Sequence, residues 1–171
     1  CGDDFGALDG VDHAPVLAME RELAAAADLI VVSHPRLAEK FDPGKTMLLP
    51  HGVDLARFAD LPASTAPSRP VAGFLGKLDD RLDYAAIARA AVALPDWRFE
   101  LVGPAAPSGT EGLARLRAMP NVSIPGPVPL ADAPARIAGW TAALLPYRDT
   151  PMTRACDPLK LREYLAAGAP V

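Results

Sequence analysis

The last fifteen residues carry the clearest chemistry: Asp157-Pro158-Leu159-Lys160-Leu161-Arg162-Glu163-Tyr164-Leu165-Ala166-Ala167-Gly168-Ala169-Pro170-Val171. Asp157 suits a helix N-cap, and Pro158 the first helical position, where a missing N–H costs nothing. Gly168 suits a left-handed position after the last turn, and Pro170 cannot continue the helix. At about 100° per residue, Lys160, Glu163, Tyr164 and Ala167 share one face, with Leu161 and Leu165 on another. Lys160 falls in the first turn, where the helix dipole disfavours a cation by roughly a few tenths of a kcal/mol. An anionic ligand there removes the conflict, because backbone N–H groups and the ammonium then point at the same charge. Glu163, one turn further on, can accept hydrogen bonds from two neighbouring sugar hydroxyls. One helix therefore offers a phosphate site and a ribose site. The competing account is a solvated Lys–Glu pair at i, i+3, worth only about a few tenths of a kcal/mol.

A second basic group is Gly76-Lys77-Leu78-Asp79-Asp80-Arg81. A glycine lets backbone approach a phosphate, and Lys77 with Arg81 can neutralise its charge. The P-loop spacing and a GxGxxG fingerprint are both absent. Here too a plain alternative stands: Asp79 and Asp80 pair Lys77 and Arg81 in solvent. His51, between Pro50 and Gly52, either touches a ligand or caps a turn, while His13 and His34 read as surface or boundary residues. No nucleophile–base triad can be built on spacing, and no residues are spaced as metal ligands. Carboxylate pairs such as Glu20 and Glu22 read as solvated faces. Trp97, Trp140 and Tyr164 are too scattered to stack single-stranded nucleic acid.

These groups need elements to place them. Asp12 caps an expected helix over residues 13–27, followed by a β-branched strand at 29–33, a short helix at 35–41 and a strand at 47–49. Residues 61–70 are rich in Pro, Ser and Ala without a period, which marks a linker. Regular alternation follows. Strands are expected at 71–75, 97–102, 122–124 and 141–145. Between them come helices capped by Asp83 and by Thr110, and one opened by Asp132 with Pro134 and closed by Gly139. Residues 147–156 read as a loop. Such alternation predicts a parallel sheet with helices on both faces and ligands beyond the carboxyl ends of the strands. Gly76-Lys77, Gly103-Pro104, Pro146-Tyr147 and Asp157-Pro158 are all expected along that edge.

The chain has 171 residues, half of them apolar, enough for one ordinary domain or parts of two. A net charge of −4 argues against a general nucleic-acid binder but leaves room for a local cationic pocket. Cys1 and Cys156 are the only cysteines, which suits a reduced, cytosolic setting, with a disulfide between them as the alternative. No apolar run approaches the ~18 residues that span a bilayer, and no signal peptide is visible. The chain opens at Cys1 without Met and stops where a buried strand is expected, so a piece of a longer protein is the expectation.

Taken in order, the segments Ala27-Asp28-Leu29-Ile30-Val31-Val32-Ser33, Leu49-Pro50-His51-Gly52-Val53-Asp54, Gly73-Phe74-Leu75-Gly76 and residues 158–171 resemble the GT-B glycosyltransferases of the large retaining group called family four. The last motif is fairly specific and the others support it. The resemblance implies an α/β protein of GT-B type, with two Rossmann-like parallel-sheet domains. Residues 1–61 would be the tail of the first, acceptor-side domain. Residues 62–70 would be the linker, and residues 71–171 most of the donor-binding domain. It implies transfer of a sugar, with retention, from a nucleotide-diphosphate donor to a glycan or lipid-linked acceptor. Nucleotide sugar is then substrate, and no cofactor or metal is called for. Glu163 would bind the ribose, and Lys77, Arg81 and Lys160 would serve the diphosphate as catalytic cations. Gly76, His51 and Gly52 would border the donor, with Pro158 and Leu159 at the helix start and Gly103 and Val128 near the base. A cytoplasmic setting follows, with peripheral association at the inner membrane surface also admitted.

The sequence departs from the family in places. Many members carry two glutamates eight positions apart, and Ala155 stands at that distance before Glu163. Asp157-Pro158 replaces an aromatic–glycine pair, His51 an asparagine, and the basic pair is spaced differently. These differences bear on the contact to the donor sugar and suggest a subfamily with its own donor. Two other readings share the pattern: a GT-B sugar-nucleotide epimerase, and a non-catalytic binding module, for which Ala155 is the best support.

Overall fold

The computed structural model describes residues 1–8, 10–59, 61 and 67–171. The proposed linker at 62–70 therefore lies largely outside the described residues. The chain forms two compact units, Cys1–Gly52 with Asp149–Pro158 and Val53–Arg148 with Leu159–Val171.

The first unit begins with helix α1 (His13–Ala26), whose N-cap Asp12 accepts a hydrogen bond from the Ala14 N–H. Strand β1 (Ile30–Val32), the one-turn helix α2 (Pro35–Ala38) and strand β2 (Thr46–Leu48) follow. β1 and β2 pair in parallel, with Val31 opposite Met47.

The second unit is built on β3 (Val71–Leu75), α3 (Tyr84–Ala93), β4 (Arg98–Val102), α4 (Thr110–Arg117), β5 (Val122–Gly126), α5 (Ala133–Ala138) and β6 (Ala142–Ala143). Its four strands are parallel in the order β5-β4-β3-β6. The period of two along β3 and β4 sorts their side chains. Ala72, Phe74, Phe99 and Leu101 meet Ile87, Ala91, Leu113 and Leu116 of α3 and α4. Val71 and Val102 meet Ile137, Trp140 and Tyr164 on the opposite face. Helices on both faces are what buried, apolar parallel strands require.

The chain then returns to the first unit in α6 (Pro151–Arg154) and ends in the second with α7 (Leu159–Ala166). α6 corrects the expectation of a plain loop at 147–156. Thr150 Oγ1 accepts from the Thr153 N–H, and Thr153 Oγ1 accepts from the Thr150 N–H, so two threonines close a reciprocal cap. Thr110 is also corrected: it is the first residue of α4 and not its cap. A 3-10 turn at Pro107–Gly109 runs directly into the helix and leaves no extended residue to cap it. β6 is shorter than expected, although the Leu144 N–H beyond it still donates to the Gly73 carbonyl at 2.7 Å. The Pro146 carbonyl accepts from the Asp83 N–H, which ties it to the start of α3.

Candidate functional site

The site grows from the carboxyl ends of β3 and β4. The Val102 carbonyl accepts from the Gly76 N–H at 2.8 Å, and the Gly126 carbonyl from the Gly103 N–H at 2.9 Å. The backbone turns here are packed directly on each other. A Cβ added to Gly103, whose φ is +143°, would lie 1.9 Å from the Gly76 carbonyl oxygen. Neither backbone can yield at that distance, so only glycine fits at 103.

α7 lies over this edge because of Tyr164. That side chain is fully buried, meets the Trp140 ring edge-on at 5.8 Å, and its hydroxyl accepts from the Leu75 N–H at 3.0 Å. Burial pushes the Tyr164 hydroxyl well above the ordinary phenol range, against the smaller opposing effect of its bond to Leu75. The helix ends in a complete Schellman motif. Ala169 N–H donates to the Tyr164 carbonyl, Gly168 N–H donates to the Leu165 carbonyl, and Gly168 has a φ of +77°. Leu165, by contrast, is exposed. The buried seam of α7 is thus its Tyr164 side, the face that also carries Lys160 and Glu163.

Lys160, one turn before Tyr164, lies against the Gly76 turn. Its ammonium stands 5.6 Å from the centre of the Phe74 ring. A Cβ at Gly76 would fall 2.1 Å from the Lys160 Cε and 2.8 Å from its Nζ. Glycine at 76 therefore leaves the space that the lysine stem occupies. Glu163, one turn further on, has a side chain only 16% exposed, with Arg57 Nη1 3.7 Å from its Oε1. Arg57 went unnoticed in the sequence. It lies three residues after the Gly52-Val53-Asp54 motif, but nothing local pairs it with a glutamate more than a hundred residues away.

Lys77 is exposed and, among the described residues, forms no ion pair or hydrogen bond. Arg81 donates through Nε to both Asp79 oxygens at 3.0 Å, and the Asp79 side chain is 8% exposed. Half of the charge-pairing alternative is therefore realised, at Asp79–Arg81. Val128 packs half-buried against the cluster of Val102, Ile137 and Tyr164, and Leu159 is exposed at the start of α7. His51, Gly52 and Pro158 belong to the first unit. There the His51 N–H donates to Asp157 Oδ2 at 3.1 Å. Ala155 is buried with Ile30, Val32 and Leu37 in the core of that same unit. A carboxylate at 155 would be buried among hydrocarbon, so the alanine there answers to packing. Among the described residues no three His, Cys, Asp or Glu side chains are grouped to hold a metal ion.

The α7 arrangement yields a test of its own. Tyr164→Phe should leave the Leu75 N–H unpaired and cost about 1–3 kcal/mol in urea unfolding. A shift below about 0.5 kcal/mol would show that the hydroxyl does not hold α7 on β3.

Two parallel Rossmann-like sheets with helices packed on them define a GT-B-type fold, as the sequence implied. The structure is similar to sucrose-phosphate synthase from Thermosynechococcus elongatus, with a TM-score of 0.71 and 22% identity, over 91% of this chain and 42% of that one. It is similar also to HepE of Anabaena, solved with UDP and glucose, with a TM-score of 0.72 and 17% identity, over 98% and 50%. By sequence the chain is 40% identical over 101 residues to TuaH of Bacillus subtilis (strain 168), named as a candidate teichuronic acid biosynthesis glycosyltransferase. That match spans 59% of this chain and 25% of TuaH, so the chain corresponds to a quarter to a half of its relatives' length. No protein-family model matches the chain.

Proposed function

We propose that this protein is a glycosyltransferase that moves a sugar from a nucleoside-diphosphate donor to a glycan or lipid-linked acceptor. The observation that carries the reading is Lys160 seated against the Gly76 turn with Glu163 one turn deeper on α7. A diphosphate at the carboxyl ends of β3 and β4 would meet Lys160, the exposed Lys77 and the amino end of α7. The ribose would then reach Glu163, and the base the Gly103 and Val128 side. Arg81 would act through its end of the Asp79 pair. His51, Gly52 and Pro158 remain assigned to the donor's surroundings on the resemblance alone.

As the bond from the anomeric carbon to the diphosphate oxygen breaks, negative charge grows on the leaving group. Fixed cations and helix N–H groups aimed at that charge lower the barrier. The outcome at the anomeric carbon is taken as retention. TuaH's name and HepE's bound UDP and glucose support this class of donor and product. The domain limits at residues 1–61, 62–70 and 71–171 belong to the same proposal, and so does a cytoplasmic setting. Among the described residues no helix is long and apolar enough to cross a membrane.

Isothermal titration of the full-length protein with UDP, GDP and ADP tests the reading. One of the three should bind, with UDP the first expectation. Failure of all three at millimolar concentration would sink it.

A further inference from the structure

We infer that Arg57 is the positioning residue that aims Glu163 at the ribose and fixes its distance from the segment between β5 and α5. The inference rests on the donor site proposed above. Arg57 sits in a 3-10 turn, Leu55–Phe58, which Asp54 caps by accepting from the Ala56 N–H at 3.1 Å. Phe58, 7% exposed, anchors that turn, and the Arg57 guanidinium lies 5.9 Å from its ring centre. Nη2 donates to the Leu130 carbonyl at 3.1 Å, which leaves Nη1 facing Glu163 Oε1 at 3.7 Å. One rigid, planar cation thus joins two separate elements, the 126–133 connection and α7.

The geometry does more than pair charges. At 3.7 Å the contact is too long for a hydrogen bond. Among the described residues the Glu163 carboxylate accepts no hydrogen bond, so its acceptor capacity is unspent. The guanidinium supplies orientation without consuming that capacity. An ordinary surface pair would contribute little, because both side chains roam. Here the arginine is held by a carbonyl and a ring, and the side chains of the pair are 31% and 16% exposed. Because Leu130 closely follows Val128, the same bracket sets the ribose acceptor against the expected base contact. Lysine at 57 would keep the charge but offer it from a single nitrogen, not from two held at a fixed spacing.

The test is a comparison of ribose with deoxyribose. The full-length protein and its Arg57→Gln and Arg57→Lys variants are titrated with whichever of UDP, GDP or ADP the wild type binds tightest, and with the 2′-deoxy counterpart. Wild type should favour the ribonucleotide by about tenfold, as expected for a hydroxyl bound to a buried carboxylate. Arg57→Gln should lower ribonucleotide affinity by about that factor and 2′-deoxy affinity by clearly less, through the one hydroxyl that remains, so that discrimination shrinks. Arg57→Lys should stay defective and serves if the glutamine variant does not fold. In a Glu163→Gln background Arg57→Gln should change nothing further. Equal losses for both nucleotides would overturn the positioning role while leaving the donor site intact. No discrimination by the wild type would overturn Glu163 as ribose acceptor and Arg57 with it. No nucleotide binding by the wild type would overturn the donor site itself.

Discussion

Replacing Lys160 by methionine is expected to lower sugar-transfer turnover by about 10²–10³-fold in the full-length protein, the usual loss for one preorganised charge donor. Methionine keeps an unbranched stem of similar length, so the packing against Gly76 and Phe74 survives and stability should change by less than about 1 kcal/mol. What is lost is the ammonium at the carboxyl end of β3. A ground-state diphosphate already carries charge, but the departing one carries more, so the lysine binds the transition state better than the donor. Turnover should therefore fall much more than donor affinity, with kcat and kcat/KM reduced to a similar extent. Release of nucleoside diphosphate from a nucleotide-sugar donor, measured with acceptor present, gives both constants. If kcat is unchanged and only KM rises, Lys160 binds donor uniformly and is not the group that stabilises the leaving charge.

The reason this lysine stood out in the sequence is that its difficulty was local. A cation in the first turn of a helix is visible from spacing alone, as are the Asp12 and Asp83 caps and the Gly168 stop. The alternation of β3, β4 and β5 with α3 and α4 was legible for the same reason. Partnership was not legible. Periodicity says which residues share a face, not what that face meets. Tyr164 and Leu165 are adjacent, yet tertiary packing buries the tyrosine against Leu75 and Trp140 and leaves the leucine in water. Ala155 read as a missing acid because the family comparison fixes only its distance from Glu163, while its environment is set by Ile30, Val32 and Leu37. α6 was missed although the Thr150 and Thr153 pair signalled its start. Arg57 illustrates the limit most sharply, because its meaning depends on Leu130 and Glu163, neither of which is near it in the chain.

The other residue whose role only the fold reveals is Glu100, and its replacement should have the largest effect on stability. In the sequence nothing sets it apart from the other residues of the alternating strand expected at 97–102. In the structure it is 3% exposed in the middle of β4. Its Oε1 accepts from Arg98 Nη2 at 2.6 Å and Arg136 Nη2 at 2.9 Å, and its Oε2 accepts from Trp140 Nε1 at 2.9 Å. Glu100→Gln keeps the shape but turns one acceptor into a donor facing other donors. It also leaves Arg136, itself 32% exposed, without its counter-charge, and losing charge-assisted bonds to a buried carboxylate costs about 1.5–3 kcal/mol each. Trp140 is the ring that Tyr164 meets edge-on, so loosening it also loosens α7 and should weaken nucleotide binding. Acid should reproduce part of the loss. Burial, the largest single influence, pushes the Glu100 carboxyl up, but the bonds from Arg136, Trp140 and Arg98 together hold it below the usual carboxylate value. A carboxyl depressed in the folded state stabilises the fold above its unfolded pKa, and that contribution disappears as pH falls through the folded value. Urea unfolding at neutral pH and again in the acid limb should show wild-type stability declining toward low pH with a steeper slope than Glu100→Gln. Equal midpoints at neutral pH and equal slopes below it would mean that Arg136 and Trp140 are held in place without the carboxylate.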